Sequence, residues 1–226
     1  MNRRVIAIDG PAASGKSSTA AAVARALDAH HLDSGALYRG LTRVALDAGT
    51  REAPRILAEA EGRGLELRHD GPEIVPYLDA RPAEPVIRSP EVTAAVSEIA
   101  ALAALRDWVN ERLREAAVGE RLLVLDGRDI GTAVFPDAAV KIYLTASAEA
   151  RARRRLVQRG ELFDTDQVAA EAVRLAARDR ADAGRDVAPL RRAPDAVAVD
   201  TTDLGFREQV DRIVELARKV LSPKDF

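Results

Sequence analysis

Gly10, Gly15, Lys16 and Ser17 stand at the spacing G-x-x-x-x-G-K-S, with Pro11, Ala12, Ala13 and Ser14 between the glycines and Ser18 behind them. Glycines at both ends of such a loop let backbone N–H groups turn inward around a phosphate. The lysine reaches the outer phosphates of a polyphosphate, and the following hydroxyl suits a Mg²⁺ ion. This P-loop chemistry needs an apolar strand before the loop and a helix after it. Val5-Ile6-Ala7-Ile8 supplies the strand, and the alanine-rich run 18–27 supplies a helix whose positive N-terminal end adds to the anion site. Residues 10–18 therefore point to nucleoside triphosphate binding, with Ser17 at the metal. The loop alone leaves ATPase, switch and kinase open.

Two further segments carry chemistry. In Leu32-Asp33-Ser34-Gly35-Ala36-Leu37-Tyr38-Arg39, Ser34 is expected to cap the next helix, leaving an open N-terminus for a second phosphate, with Arg39 as a bidentate cation. An ordinary cap followed by a surface arginine has the same sequence. In Asp126-Gly127-Arg128-Asp129-Ile130-Gly131-Thr132, Asp126 at a strand end can hold the Mg²⁺ shell directly or through water. Arg128 can take a phosphate, and Asp129 can accept from an exocyclic amine. A β-turn explains the Asp-Gly pair but not the charge gathered at the carboxyl end of a strand, where α/β proteins place ligands.

Positioning these groups requires elements. Short segments at 5–9, around 30–33, 121–126, 139–144 and 196–200, most of them apolar runs, read as strands, and helices are expected at 16–27, 35–48, 54–61, 91–117, 147–158, 165–182 and 205–221. Continuous apolar strands separated by helices predict an open five-stranded parallel α/β sheet covered on both faces. Residues 62–90 break the rhythm with glycines, prolines and short alternating pieces, which predicts a small antiparallel β insertion. The end of the chain, 222–226, is expected to fray.

The bulk composition fits one soluble globular unit: 226 residues, 31% charged, 47% apolar, net charge −2 and no cysteine. There is no global attraction to nucleic acid and no disulfide, thiolate metal site or cysteine nucleophile. The apolar run near the N-terminus is too short for a signal peptide, and no run reaches membrane-spanning length. A cytoplasmic monomer is the expectation. Only four of the 34 basic residues are lysines (Lys16, Lys141, Lys219 and Lys224); the arginine excess suits phosphate binding, and a biased genome composition gives the same count.

Taken together, GPAASGKSS at 10–18, LDSGALYR at 32–39, DGRDIGTAVFPDAAVKIYL at 126–144 and RDRADAGRDVAPL at 178–190 resemble the bacterial cytidylate kinases, of the nucleoside-monophosphate kinase superfamily. YLDARPAEPVIRSPEV at 77–92 resembles the enlarged monophosphate-binding region of that family. The resemblance implies a P-loop kinase fold with a core of about 1–61, 91–146 and 183–226, a monophosphate-binding insertion at 62–90 and a helical lid at 147–182. It implies transfer of the γ-phosphoryl group of Mg·ATP to CMP or dCMP, in pyrimidine nucleotide metabolism. By the same resemblance, Ser34, Arg39 and Arg128 hold the acceptor phosphate, with Tyr38 beside them. Ser97, Arg106, Asp129 and Arg185 read the cytosine, while Arg178 and Asp182 bind the ribose. Lys16, Arg128 and Arg178 are the implied catalytic cations. Cytosine suits this set, because N4 donates while O2 and N3 accept.

Ser97 and Arg106 lie nine residues apart, about 900° around an ideal helix and so on opposite faces. If both touch one base, 91–117 must be two helices meeting near residues 101–104. Arg151, Arg154 and Arg155 share one face of the arginine-rich helix at 147–158 and are expected at the ATP phosphates, although a solvated helix face has the same pattern. Arg178 and Asp182, one helical turn apart, could equally be a surface pair. His30, His31 and His69 lack ligand spacing and receive no role.

Overall fold

In the computed structural model, which describes residues 2–119 and 121–221, the five expected strands lie side by side and run parallel. Numbering in chain order, these are β1 (Asn2–Asp9), β2 (His30–Asp33), β6 (Leu123–Gly127), β7 (Ala138–Thr145) and β8 (Val197–Asp200). Their spatial order is β2-β6-β1-β7-β8. β1 is central, with Asp9 level with Gly127 on one side and Tyr143 on the other. Alternate residues feed opposite faces. Ile6, Ile8, Val124 and Ile142 pack under α1 (Lys16–Ala26) and α9 (Phe206–Val220). Val5, Ala7, Leu32 and Leu125 pack under α2 (Ser34–Asp47), α5 (Pro90–Ile99) and α6 (Ala103–Ala116). Each such side chain, fully removed from water, contributes roughly 1.5–3 kcal/mol. The expected α/β architecture is the observed one.

The insertion departs from expectation in how it is attached. After α3 (Ala53–Gly62), strands β3 (Glu66–Asp70) and β5 (Arg81–Pro82) each pair antiparallel with β4 (Glu73–Leu78). However, β4 also pairs in parallel with β2, through His31↔Glu73 and Leu32↔Ile74, so the insertion extends the main sheet. A short helix, α4 (Glu84–Ile87), follows it without any clear periodic signal.

The stretch 91–117 is indeed broken. α5 ends at Ile99 and α6 begins at Ala103, with Leu102 as the extended cap residue. The freed carbonyl of Ala100 accepts from Arg106 Nη1 at 3.1 Å, so the arginine that the break brings inward also stabilises the break. Beyond β7, α7 (Ala148–Gln158) and α8 (Thr165–Ala183) form an antiparallel pair. α8 starts with a capping box in which Asp164 and Gln167 each accept the other's backbone N–H at 2.9 Å. No helix among the described residues is long and apolar enough to cross a membrane. The expectation of fraying at 222–226 lies outside the described residues.

Candidate active site

The loop between β1 and α1 has the backbone its glycines were expected to allow. Gly15 sits at φ +90°, and a Cβ on Gly10 would stand 2.1 Å from the Leu144 carbonyl oxygen, a contact that no side chain tolerates. Ala13 also occupies the left-handed region, at φ +57°, without being glycine. Lys16 is curled over the loop, its Nζ donating to the Pro11 carbonyl at 2.8 Å. Burial, with Arg128 adding to it, pulls its pKa well below the ordinary lysine value.

Ser17 and Asp126, though 109 residues apart, meet: Ser17 Oγ donates to Asp126 Oδ2 at 2.6 Å. A hydroxyl and a carboxylate are hard oxygen donors that suit Mg²⁺, an ion that takes few protein ligands and fills its shell with water and phosphate oxygens. Among the described residues no group of three or more His, Cys, Asp or Glu side chains could hold a metal. Two such donors, leaving most of the shell to water and phosphate oxygens, fit an ion that arrives with a nucleotide.

A cleft of about 190 Å³, partly open to solvent, runs from this loop across the carboxyl ends of β1, β2 and β6. From the loop it takes in Ala13, Gly15, Lys16, Ser17 and Ser18; Gly10, Pro11, Ala12 and Ser14 lie behind. On its far side stand Ser34, Tyr38, Arg39, Ser97, Arg106, Arg128 and Asp129. α8 and the turn after it add Arg178, Asp182 and Arg185, so helix and strand ends converge on one space. Gly127 makes the closest approach there: a Cβ on it would lie 2.6 Å from Ser34 Oγ.

The charges in the cleft fall into two kinds. Arg106 is 1% exposed and donates to Asp129, itself buried, which fixes both groups in the wall. Asp182 accepts from Arg128 Nε at 3.0 Å and from Arg185. By contrast, Arg39 and Arg178 make no ion pair or side-chain hydrogen bond among the described residues, and the buried Tyr38 hydroxyl has no hydrogen-bond partner. Burial, then repulsion from Arg128, lowers the Arg178 pKa to about 10. Burial likewise lowers Arg39, with Arg88, Arg155 and Arg128 adding to the fall and Asp33 opposing it. Positive charge is thus concentrated in a place where it is unbalanced.

A family model described as cytidylate kinase matches residues 6–219. This chain belongs to the cytidylate kinase family. It is 43% identical over 222 residues to the cytidylate kinase of Mycobacterium avium (strain 104), covering 95% of both chains. It is 42% identical over 225 residues to that of Geobacillus kaustophilus (strain HTA426), covering 97% of this chain and 99% of the relative. A crystal structure of an uncharacterized protein from Eubacterium ventriosum ATCC 27560 is similar with TM-score 0.50 at 11% identity, covering 95% of this chain and 98% of that one; it speaks to the fold alone.

Within this family frame, one sequence expectation is overturned. The cap of α2 is Asp33, whose Oδ1 accepts from the Gly35 N–H at 2.9 Å; the Ser34 hydroxyl instead donates to the Asp126 carbonyl at 2.8 Å. Both residue types make good caps, and the deciding partner, Asp126, lies on another strand. The three arginines on one face of α7 do not act alike. Arg155 lines the cleft. Arg151 donates to the Ala12 carbonyl at 2.9 Å and pairs with Asp179 of α8, while Asp179 accepts from the Ala12 N–H at 2.8 Å. Arg154 is tied to Thr201, with an Nη1–Oγ1 distance of 2.9 Å. Arg151 and Arg154 are held on the protein itself.

Other residues at the site escaped the sequence reading. Arg88 enters the cleft and donates to Asp33 Oδ2 at 3.0 Å. Its only advance signal was position in the insertion. Asp9 is buried at the end of β1 and accepts from the N–H groups of Ile130 and Gly131 at 2.8 and 2.7 Å. It thereby pins the π-helical turn Ile130–Val134 that follows Asp129. Burial outweighs those two hydrogen bonds and raises its pKa to about 6.

Proposed function

We propose that the chain transfers the γ-phosphoryl group of Mg·ATP to CMP or dCMP, giving ADP and CDP or dCDP. One observation carries this reading beyond family membership: a single cleft joins the P-loop to a wall of unbalanced arginines and a prebuilt Arg106–Asp129 pair. The P-loop backbone and Lys16 bind the ATP phosphates. Ser17 and Asp126 hold Mg²⁺, which when bound neutralises charge on the β- and γ-phosphate oxygens. Arg39, Arg88 and Arg128 seat the acceptor phosphate beside Ser34 and Tyr38.

Asp129 and Ser97 accept from cytosine N4, and Arg106 and Arg185 donate to O2 and N3. Uracil presents O4 in place of that donor, so acceptors would face each other, and a site built on hydrogen bonds discriminates strongly against such an analogue. Asp182 and Arg178 hold the ribose, and the Arg178 guanidinium also stands near the transferred group. A phosphate dianion is already nucleophilic, so no strong general base is needed. Positioning and spread positive charge lower the barrier. The pair α7 and α8, about 147–182, acts as a lid: by bringing Arg155 over the cleft it excludes water that would waste ATP. Residues 62–90 act as the monophosphate-binding piece. We place this activity in the cytoplasm and in a monomer, with no nucleic-acid or membrane partner.

The test is a coupled ADP-release assay with Mg·ATP and, separately, CMP, dCMP, UMP, AMP, dTMP and GMP. Turnover with CMP and dCMP and little with the others supports the reading. Equal turnover with AMP or dTMP keeps the kinase and overturns the base-reading residues.

A further inference from the structure

His31 lies on β2 two residues before Asp33, level with Val124 of β6, on the sheet face that α1 covers. Asp126 shares that face, because it stands level with Asp33. The imidazole Nε2 of His31 is 2.9 Å from Asp126 Oδ1, while Oδ2 of the same carboxylate accepts from Ser17 at 2.6 Å. The Asp126 side chain is 2% exposed, so water does little to hold it. The neighbouring carboxylate of Asp33 is no competitor for the imidazole, since its two oxygens are taken by the Gly35 N–H and by Arg88. The His31 backbone is fixed too, its N–H donating to the Pro72 carbonyl at 2.9 Å.

We infer that His31 is a positioning residue for the metal end of the site. Its ring holds one oxygen of Asp126, and this keeps the other turned toward Ser17 and the ion that the two would share. The inference rests on the reading of Ser17 and Asp126 as the metal-binding pair. Outer partners of metal-binding carboxylates and imidazoles fix ligand orientation, and removing one typically costs 10–100-fold in metal affinity. Without the imidazole, Oδ1 is a buried acceptor lacking its donor, and the carboxylate turns away to find another.

The experiment is a titration of the protein–ADP complex with Mn²⁺, a paramagnetic stand-in for Mg²⁺, read by electron paramagnetic resonance. ADP affinity without metal is measured alongside. His31→Phe is expected to weaken Mn²⁺ binding by about tenfold or more with metal-free ADP affinity unchanged. His31→Gln, whose amide N–H can take the place of Nε2, restores the affinity to within about threefold. His31→Asn is polar but too short to reach, and behaves like the phenylalanine variant. Should His31→Phe not fold, the Gln and Asn pair carries the test alone. Wild-type Mn²⁺ affinity in the Phe and Asn variants, or equal weakening in all three, overturns the role of His31. Ser17→Ala separates the layers. If it leaves Mn²⁺ affinity unchanged, the metal reading itself falls and this inference with it; if it weakens binding while His31→Phe does not, only His31 is removed.

Discussion

Arg151 and Arg154, tied down along α7, and Arg39 and Arg178, which line the cleft, are the same side chain in two different electrostatic states. The first pair is balanced. Arg151 bridges Asp179 and the Ala12 carbonyl, and Arg154 is bound to Thr201. The second pair is unbalanced: neither makes an ion pair among the described residues, and burial with neighbouring cations lowers both pKa values. A balanced buried arginine holds the protein together. An unbalanced one spends folding energy to keep positive charge where a phosphate will arrive.

If that contrast is right, the two kinds fail differently. Arg178→Ala should lower kcat by about 10²–10³-fold, the scale for losing one preorganised group on developing charge. Its melting temperature should stay level or rise, because a buried cation beside Arg128 has gone. A large fall in melting temperature would erase the distinction.

Asp9 tests the same idea with the sign reversed, being a buried carboxylate held by N–H groups rather than a cation. Its folded pKa of about 6 lies above the ordinary 3.8, so the folded state binds the proton more firmly than the unfolded chain does. The carboxyl therefore costs stability that grows as pH rises from about 4 to about 6 and is constant above. Asn does not titrate. Between pH 4 and 7 the stability difference between wild type and Asp9→Asn should move in favour of Asn by up to about 3 kcal/mol. Denaturant unfolding across that range measures it, and a flat difference contradicts the shifted carboxyl.

Arg151→Ala, on the balanced side, should cost about 2–3 kcal/mol in the same unfolding experiment, since it strands Asp179 and frees the Ala12 carbonyl. The double-mutant cycle with Asp179→Ala should return a coupling of at least about 1 kcal/mol. Additive effects would mean the clamp is not a unit. The smallest expected change is Ala13→Gly. Relieving the left-handed alanine should raise stability by up to about 1 kcal/mol, partly offset by the freer unfolded chain, with kcat within about twofold of wild type.

The contrast also explains what could be read in advance. Four of the five parallel strands were legible as largely apolar runs, whereas β2, His-His-Leu-Asp, was legible only from its place between two helical stretches; the P-loop was legible because its function is local in sequence. The break after Ile99 was legible from angular spacing once the resemblance put Ser97 and Arg106 on one base, since the two could not otherwise face one cleft. The state of each arginine was not legible. Arg151, Arg154 and Arg155 look alike on α7, and their partners lie up to 140 residues away. The choice of Asp33 over Ser34 as the cap and the tie between His31 and Asp126 were hidden for the same reason: a neighbouring strand supplies the deciding atom. Short α4 and the π-helical turn, held by Asp9 from 121 residues away or more, carry too few residues to show a period.

The most direct test of the central claim, that the unbalanced cleft arginines are there for phosphate, is the affinity of CMP against that of cytidine, titrated calorimetrically at low and high salt. The account predicts that CMP binds at least about 100-fold more tightly than cytidine, with much of the advantage lost at high salt. Cytidine binding as tightly as CMP, or a CMP affinity indifferent to salt, would contradict it.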